Sequence, residues 1–209
     1  RLWVDLQYSV DDMNSWQTYK YQDKIRIKKG QSVYFRGNNS QNGISDEYLY
    51  YTFHTNGKFE AYGDVMSLIS YKSKANEVEP YCFYKLFYNC DGLVTAPKIG
   101  LEDLGCNCYE SMFENCTSLI YVPDIYACHL SSEVFVRTFK GCTSLQRSPK
   151  MYFDEFYGGE DCKEMFANCS NLESIFAFFP EWEDGGFVDW VKNVASSGTF
   201  YCLKELPQK

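Results

Sequence analysis

The chain has 209 residues, 45% of them apolar and 18% aromatic, with a net charge of −8. That composition is ample for a packed core and far from that of a disordered chain, while scattered basic residues and the negative balance argue against nucleic acid as a partner. No window approaches the roughly 18 apolar residues that span a bilayer, so no membrane insertion is expected.

The chain begins at Arg1 without a charged-then-apolar leader, as expected of a processed or trimmed secreted protein, or of one never exported by a signal peptide. The first sixty or so residues read as β-structure. Residues 2–8, 24–28 and 32–36 alternate with period two, and Gly30, Gly37 and the pairs Asn42-Gly43 and Asn56-Gly57 supply turns. Asn56-Gly57 predicts a hairpin between residues 48–54 and 59–62. From about Asp64 the alternation stops, and residues 72–80 read as a polar loop.

A repeated phrase then takes over. Phe87-Tyr-Asn-Cys90-Asp-Gly-Leu93-Val-Thr-Ala-Pro97 returns as Phe113-Glu-Asn-Cys116-Thr-Ser-Leu119-Ile-Tyr-Val-Pro123. It returns again as Phe139-Lys-Gly-Cys142-Thr-Ser-Leu145-Gln-Arg-Ser-Pro149, and then as Phe166-Ala-Asn-Cys169-Ser-Asn-Leu172. Cysteines stepping by 26, 26 and 27 residues predict a stacked solenoid, whose units bury their apolar sides against one another. Within a unit, apolar residues at Cys108, Met112, Phe113 and Cys116 follow i, i+4, i+5, i+8 and predict a short helix. A turn, a short strand ending at Pro123 and a return follow. Phe187, Trp190, Val191 and Val194 predict a closing amphipathic helix, and residues 199–202 a final strand. The expected organisation is a β-rich part over 1–63, a connection or cap over 64–80, repeats over 81–180 and a C-terminal cap over 181–209.

Ten cysteines suggest a disulfide framework, but their placement argues for buried thiols. Cys90, Cys116, Cys142 and Cys169 share one slot; Cys82, Cys108 and Cys162 share another, in which the third unit has Val134. A slot that accepts Val is a small apolar one. Cys106, Cys128 and Cys202 fall outside the pattern and are the candidates for pairing or reactivity.

The phrase Met-Phe-x-Asn/Gly-Cys-Thr/Ser-Ser/Asn-Leu, over about 81–175, resembles the BspA-type leucine-rich repeats. The close at Trp190, Val191, Val194, Gly198, Thr199 and Phe200 is similar to the C-terminal signature of one subgroup, which has a β-rich leader. With the elements read above, the expected fold is α+β: a small β-domain, about four leucine-rich repeats of 26–27 residues and a helical cap. The resemblance implies adhesion or recognition, on the surfaces of gut and oral bacteria or on their phages. The frequent cysteines and the inserted stretch Met151-Tyr-Phe-Asp-Glu-Phe-Tyr157 depart from the pattern.

No converging catalytic set is legible. Neither histidine, His54 or His129, reads as half of a cysteine–histidine dyad, since Cys128 and His129 are sequence neighbours whose side chains point apart. No metal or cofactor is expected, because Cys106, Cys108, Cys128 and His129 lack zinc spacing and Asp11-Asp12 lacks that of a calcium loop. The sequons at Asn115 and Asn168 fall in the repeat phrase and are expected to be buried. The remaining lead is the strip formed two residues beyond each repeat Leu (Thr95, Tyr121, Arg147, Ser174) and one beyond each Pro position (Lys98, Asp124, Lys150, Ala177). The expected partner surface is Thr95, Tyr121, Asp124, Arg147, Lys150, Tyr152 and Tyr157, facing a protein or glycan on a cell surface. The alternative is a structural subunit of a phage virion or surface assembly.

Overall fold

The computed structural model describes residues 4–40, 43–72, 78–100, 103–156, 158–182 and 184–206. Near the N-terminus, β1 (Leu6–Ser9) lies between β2 (Gln17–Thr18) and β3 (Tyr34–Gly37) in an antiparallel sheet. Residues 24–28, expected as a strand, have no ladder partner among the described residues. Asn39 fastens this sheet to the 3-10 turn Val65–Leu68. Its amide accepts from Asp5 N at 2.8 Å and donates to the Asp5 and Leu68 carbonyls at 2.9 and 2.7 Å. Gly37 is required there, because a Cβ would stand 2.2 Å from the Leu68 carbonyl oxygen.

The expected hairpin about Asn56-Gly57 does not form. β4 (Phe59–Glu60) instead pairs in parallel with β5 (Leu93–Thr95). The N–H groups of Ile44, Phe53, Ala61 and Val65 likewise reach the carbonyls of Cys82, Leu86, Thr95 and Lys98. This segment is therefore an additional rung of the solenoid. An isolated hairpin is marginal in water, whereas here Phe53 stacks on Phe87 at 5.4 Å.

The rungs continue as a parallel sheet in the order β10-β9-β8-β7-β6, built from β6 (Asp103–Leu104), β7 (Ile125–Leu130), β8 (Arg147–Phe156), β9 (Ser174–Phe178) and β10 (Thr199–Cys202). The expected α+β class is wrong: the molecule is nearly all β, a β-solenoid of about four turns, and the 3-10 turn is the helical element among the described residues.

The stretches expected as helices are ribbons of successive tight turns. In the first, Tyr81, Lys85 and Asn89 have φ near +58°, +58° and +54°. Tyr84, Leu86, Tyr88 and Cys90 donate to the carbonyls three residues back, while Phe83, Lys85, Phe87 and Asn89 donate across to Cys108, Glu110, Met112 and Glu114 of the next rung. The C-terminal cap is built the same way, not as a helix. Asp189 and Asn193 have positive φ, and the carbonyls of Gly186, Val188, Trp190 and Lys192 accept from the rung before. Helices pack roughly 8–10 Å apart, about twice the rung spacing of a parallel sheet. A flat ribbon matches that spacing and lets half its N–H groups bond along the stack.

Two aromatic columns fill the interior. Phe53, Phe87, Phe113, Phe139 and Phe166 follow one another at 5.4 Å. Phe83, Tyr109, Phe135, Phe153 and Phe179 form the second, at 5.2–6.0 Å. Beside the first column the thiols of Cys116, Cys142 and Cys169 donate to the carbonyls of Phe87, Phe113 and Phe139 at 3.1, 3.1 and 3.0 Å. All seven cysteines of the two repeat slots are buried, all ten are thiols, and Val134 is as buried as its cysteine counterparts. Cys106, Cys128 and Cys202 are half-buried. Burial pushes the thiols up, Cys90 to about 11 and Cys82 and Cys169 to about 12.

Candidate functional site

Strand periodicity decides what the sheet shows outward. In β7, Ile125, Ala127 and Leu130 point into the core, so Tyr126 faces out and is 56% exposed. The next rungs place Tyr152 and Phe178 in register with it, and the rings stack at 4.6 and 5.2 Å. Beside this column runs another, of mixed character. Asp124 accepts from Lys150 N at 3.2 Å and holds its ammonium at 3.9 Å; Lys150 is paired in register with Phe176, and Phe176 stacks on Tyr201 at 4.4 Å. The Arg147 guanidinium lies 4.9 Å over Phe176.

Of the residues expected from sequence, Thr95 and Tyr121 form a parallel bridge, and Arg147 pairs with Ser174, as the repeat spacing implies. Thr95 is half-buried, whereas Tyr121 is 58% exposed. Asp124, Lys150 and Tyr152 line the same face. Ala177 does not belong to it: it is buried beside Met151, and Phe176 takes the place beside Lys150. The cause is a bulge in β8. Between Arg147 and Lys150 the ladder slips by one residue, Pro149 has no N–H to donate, and Ser148 Oγ accepts the Phe176 N–H at 2.9 Å. Tyr157 lies outside the described residues. Sequence reasoning missed Tyr126 and Phe178; the outward residue between each inward pair was the available signal.

At the far end of the same strands, Asp103, His129 and Glu155 sit on successive rungs, with His129 Nδ1 2.7 Å from Asp103 and Nε2 3.8 Å from Glu155. Neither these three nor any other group of His, Cys, Asp and Glu among the described residues is placed to hold a metal ion. On the turn-ribbon face Asn115 and Asn168 are exposed, not buried as expected; their amides join Asn89 and Asn193 at 2.9 and 2.8 Å.

The ribbon face also carries ion pairs: Arg137 with Glu110 at 2.6 Å and Lys140 with Glu164 at 2.8 Å. At the first ribbon the chemistry changes. Lys85 Nζ lies 4.7–5.0 Å from the ring centroids of Tyr84, Tyr88 and Tyr50.

Fold and surface together define a parallel β-solenoid with an aromatic and charged sheet face. No protein-family model, curated protein or solved structure matches the chain. Among the described residues, no helix is long and apolar enough to cross a membrane.

Proposed function

We propose that this protein is a non-enzymatic recognition module that binds a protein or a glycan through the outer face of its parallel sheet. The observation carrying this reading is the continuous outward strip: Tyr121, Tyr126 and Tyr152 offer aromatic area, and Asp124, Arg147 and Lys150 offer directional polar contacts. Aromatic residues with a polar end and Arg dominate recognition surfaces because they bury area at small entropic cost. The resemblance of the repeat phrase to BspA-type leucine-rich repeats supports the same role, outside the cell, on a cell surface or on a phage particle. The labelled chain is expected to bind intact bacterial cells or host mucosal extract saturably. A Tyr121→Ala/Arg147→Glu double variant should lose that binding; undiminished binding would remove the sheet face from the interaction.

One observation favours a structural subunit as second reading. β10 is the edge of the sheet, with Phe200 and Tyr201 each 44% exposed and no Pro or Lys within the strand to discourage pairing. Sedimentation of the purified chain separates the two readings. Concentration-dependent assembly abolished by Tyr201→Lys supports a subunit, and a monomer at all concentrations supports the recognition module.

A further inference from the structure

The cations along the turn-ribbon face are answered by carboxylates. Arg137 meets Glu110, Lys140 meets Glu164, Lys163 meets Glu160 and Lys192 meets Asp189. Lys85 differs. No described carboxylate lies within ion-pair distance, and its half-buried ammonium is enclosed instead by Tyr50, Tyr84 and Tyr88 at 5.0, 4.7 and 4.9 Å. Three ring faces stabilise the cation without neutralising it. The patch is built from two rungs, since Tyr50 belongs to the added rung and stands edge-on to Tyr84 and Tyr88 at 5.8 and 6.5 Å. Tyr50 is 43% exposed and gives the patch its outer face, while the neighbouring Tyr48 turns its hydroxyl to the Glu47 carboxylate. A cation without a carboxylate partner, set between the half-buried Tyr84 and Tyr88 and the exposed Tyr50, is an arrangement that accepts an anionic group carried on an apolar ring face.

We propose that Lys85 and its three tyrosines receive the carboxylate of an acidic saccharide, with a sugar ring lying against Tyr50. Charge chooses this ligand over a polyanion. The chain carries −8 overall, and Glu47 and Glu110 stand near Tyr81 at the rim. A run of acidic residues or a heavily sulfated chain is repelled there, whereas a ring bearing one carboxylate meets a single cation. The carboxylate can belong to a uronic or a sialic acid. The site lies on the ribbon face and stands or falls separately from the sheet-face reading.

The test is an amide-resolved NMR titration of the whole chain with the methyl glycosides of glucuronic acid and N-acetylneuraminic acid. Methyl glucoside and an N-acetylated, amidated aspartate peptide are the controls. At least one acidic sugar should shift the amides of residues 84–88 saturably, and which one responds identifies the source. Lys85→Met, which keeps the packed stem, should weaken binding about tenfold or more, and Lys85→Arg should retain most of it. The Tyr121→Ala/Arg147→Glu variant should bind the sugar unchanged. Absence of shifts at 84–88 with both acids, equal binding of methyl glucoside, unaltered binding by a folded Lys85→Met variant, or equal binding of the aspartate peptide would each overturn the proposal.

Discussion

Asn115 shows how one residue sets the ribbon. Its φ is +62°, its side chain is exposed, and its amide reaches Asn89 on the rung before. In the third unit the position is Gly141, at φ +74°. Asn and Gly tolerate the left-handed region; β-branched residues do not. Asn115→Val should therefore lower the unfolding free energy by about 1–2 kcal/mol, and Asn115→Gly by a few tenths. Urea denaturation of both variants checks this, and equal losses would mean that the hydrogen bond, not φ, carries the effect.

The buried thiols give a second expectation at this scale, in pH. The folded pKa values of Cys82, Cys90 and Cys169 are raised from 9.0 to about 12, 11 and 12, chiefly by desolvation. A raised folded pKa means that the folded state holds protons the unfolded chain releases. Their contribution is complete below pH 9 and is lost as pH rises toward 11–12. Urea midpoints should fall steadily from about pH 9 upward. A Cys82→Val variant, which copies the natural Val134 of the third unit, should fall less steeply; equal slopes would assign the alkaline loss to other groups.

At the scale of the element, the ribbon explains what the sequence made legible. Cys82, Phe83, Leu86, Phe87 and Cys90 recur with a spacing that suits a 3.6-residue helix and a four-residue turn ribbon equally well. Apolar spacing predicted which residues are buried, and all five are, but it did not discriminate between the two backbones. The cue that does discriminate is Asn or Gly recurring before each repeat Cys, at positions where the ribbon needs positive φ. The rung-to-rung pairing of Thr95 with Tyr121 followed from the period alone. The slip that put Phe176 where Ala177 was expected did not, because a bulge depends on local backbone bonding that the period does not encode. Two outcomes follow. Far-UV circular dichroism should show a β-type spectrum without the paired helical minima, which a helical repeat could not give. Ser148→Ala should cost about 1–3 kcal/mol, since it leaves the Phe176 N–H without its acceptor in a buried setting. A loss under that range would mean the bulge re-forms around another acceptor.

At the scale of the whole molecule, each rung touches only its neighbours, so stability divides into rung terms and interface terms. The core columns pass through every interface, with a ring step of 5.4 Å that hardly varies from Phe53 to Phe166, and then loosen to an edge-on 6.2 Å contact at Trp190. The last interface is thus the weakest link of the first column, and opening should begin there. Trp190→Ala tests this by hydrogen exchange. The amides of Cys162, Glu164, Phe166 and Asn168, which donate to the last ribbon, should lose protection by roughly ten- to a hundredfold. Those of Phe83, Lys85, Phe87 and Asn89, near the other end of the stack, should stay within about threefold of the parent. Phe113→Ala, in the middle of the column, should instead lower protection on both sides and cost about 3–5 kcal/mol overall. If Trp190→Ala deprotected both ends equally, the solenoid would be opening as one cooperative unit and the nearest-neighbour description would fail. A gradient running inward from the C-terminal end would also place the sheet-face strip and the Lys85 patch on rungs of different stability. Ligand at the strip, which reaches Tyr201, would then slow the opening that ligand at Lys85 leaves untouched.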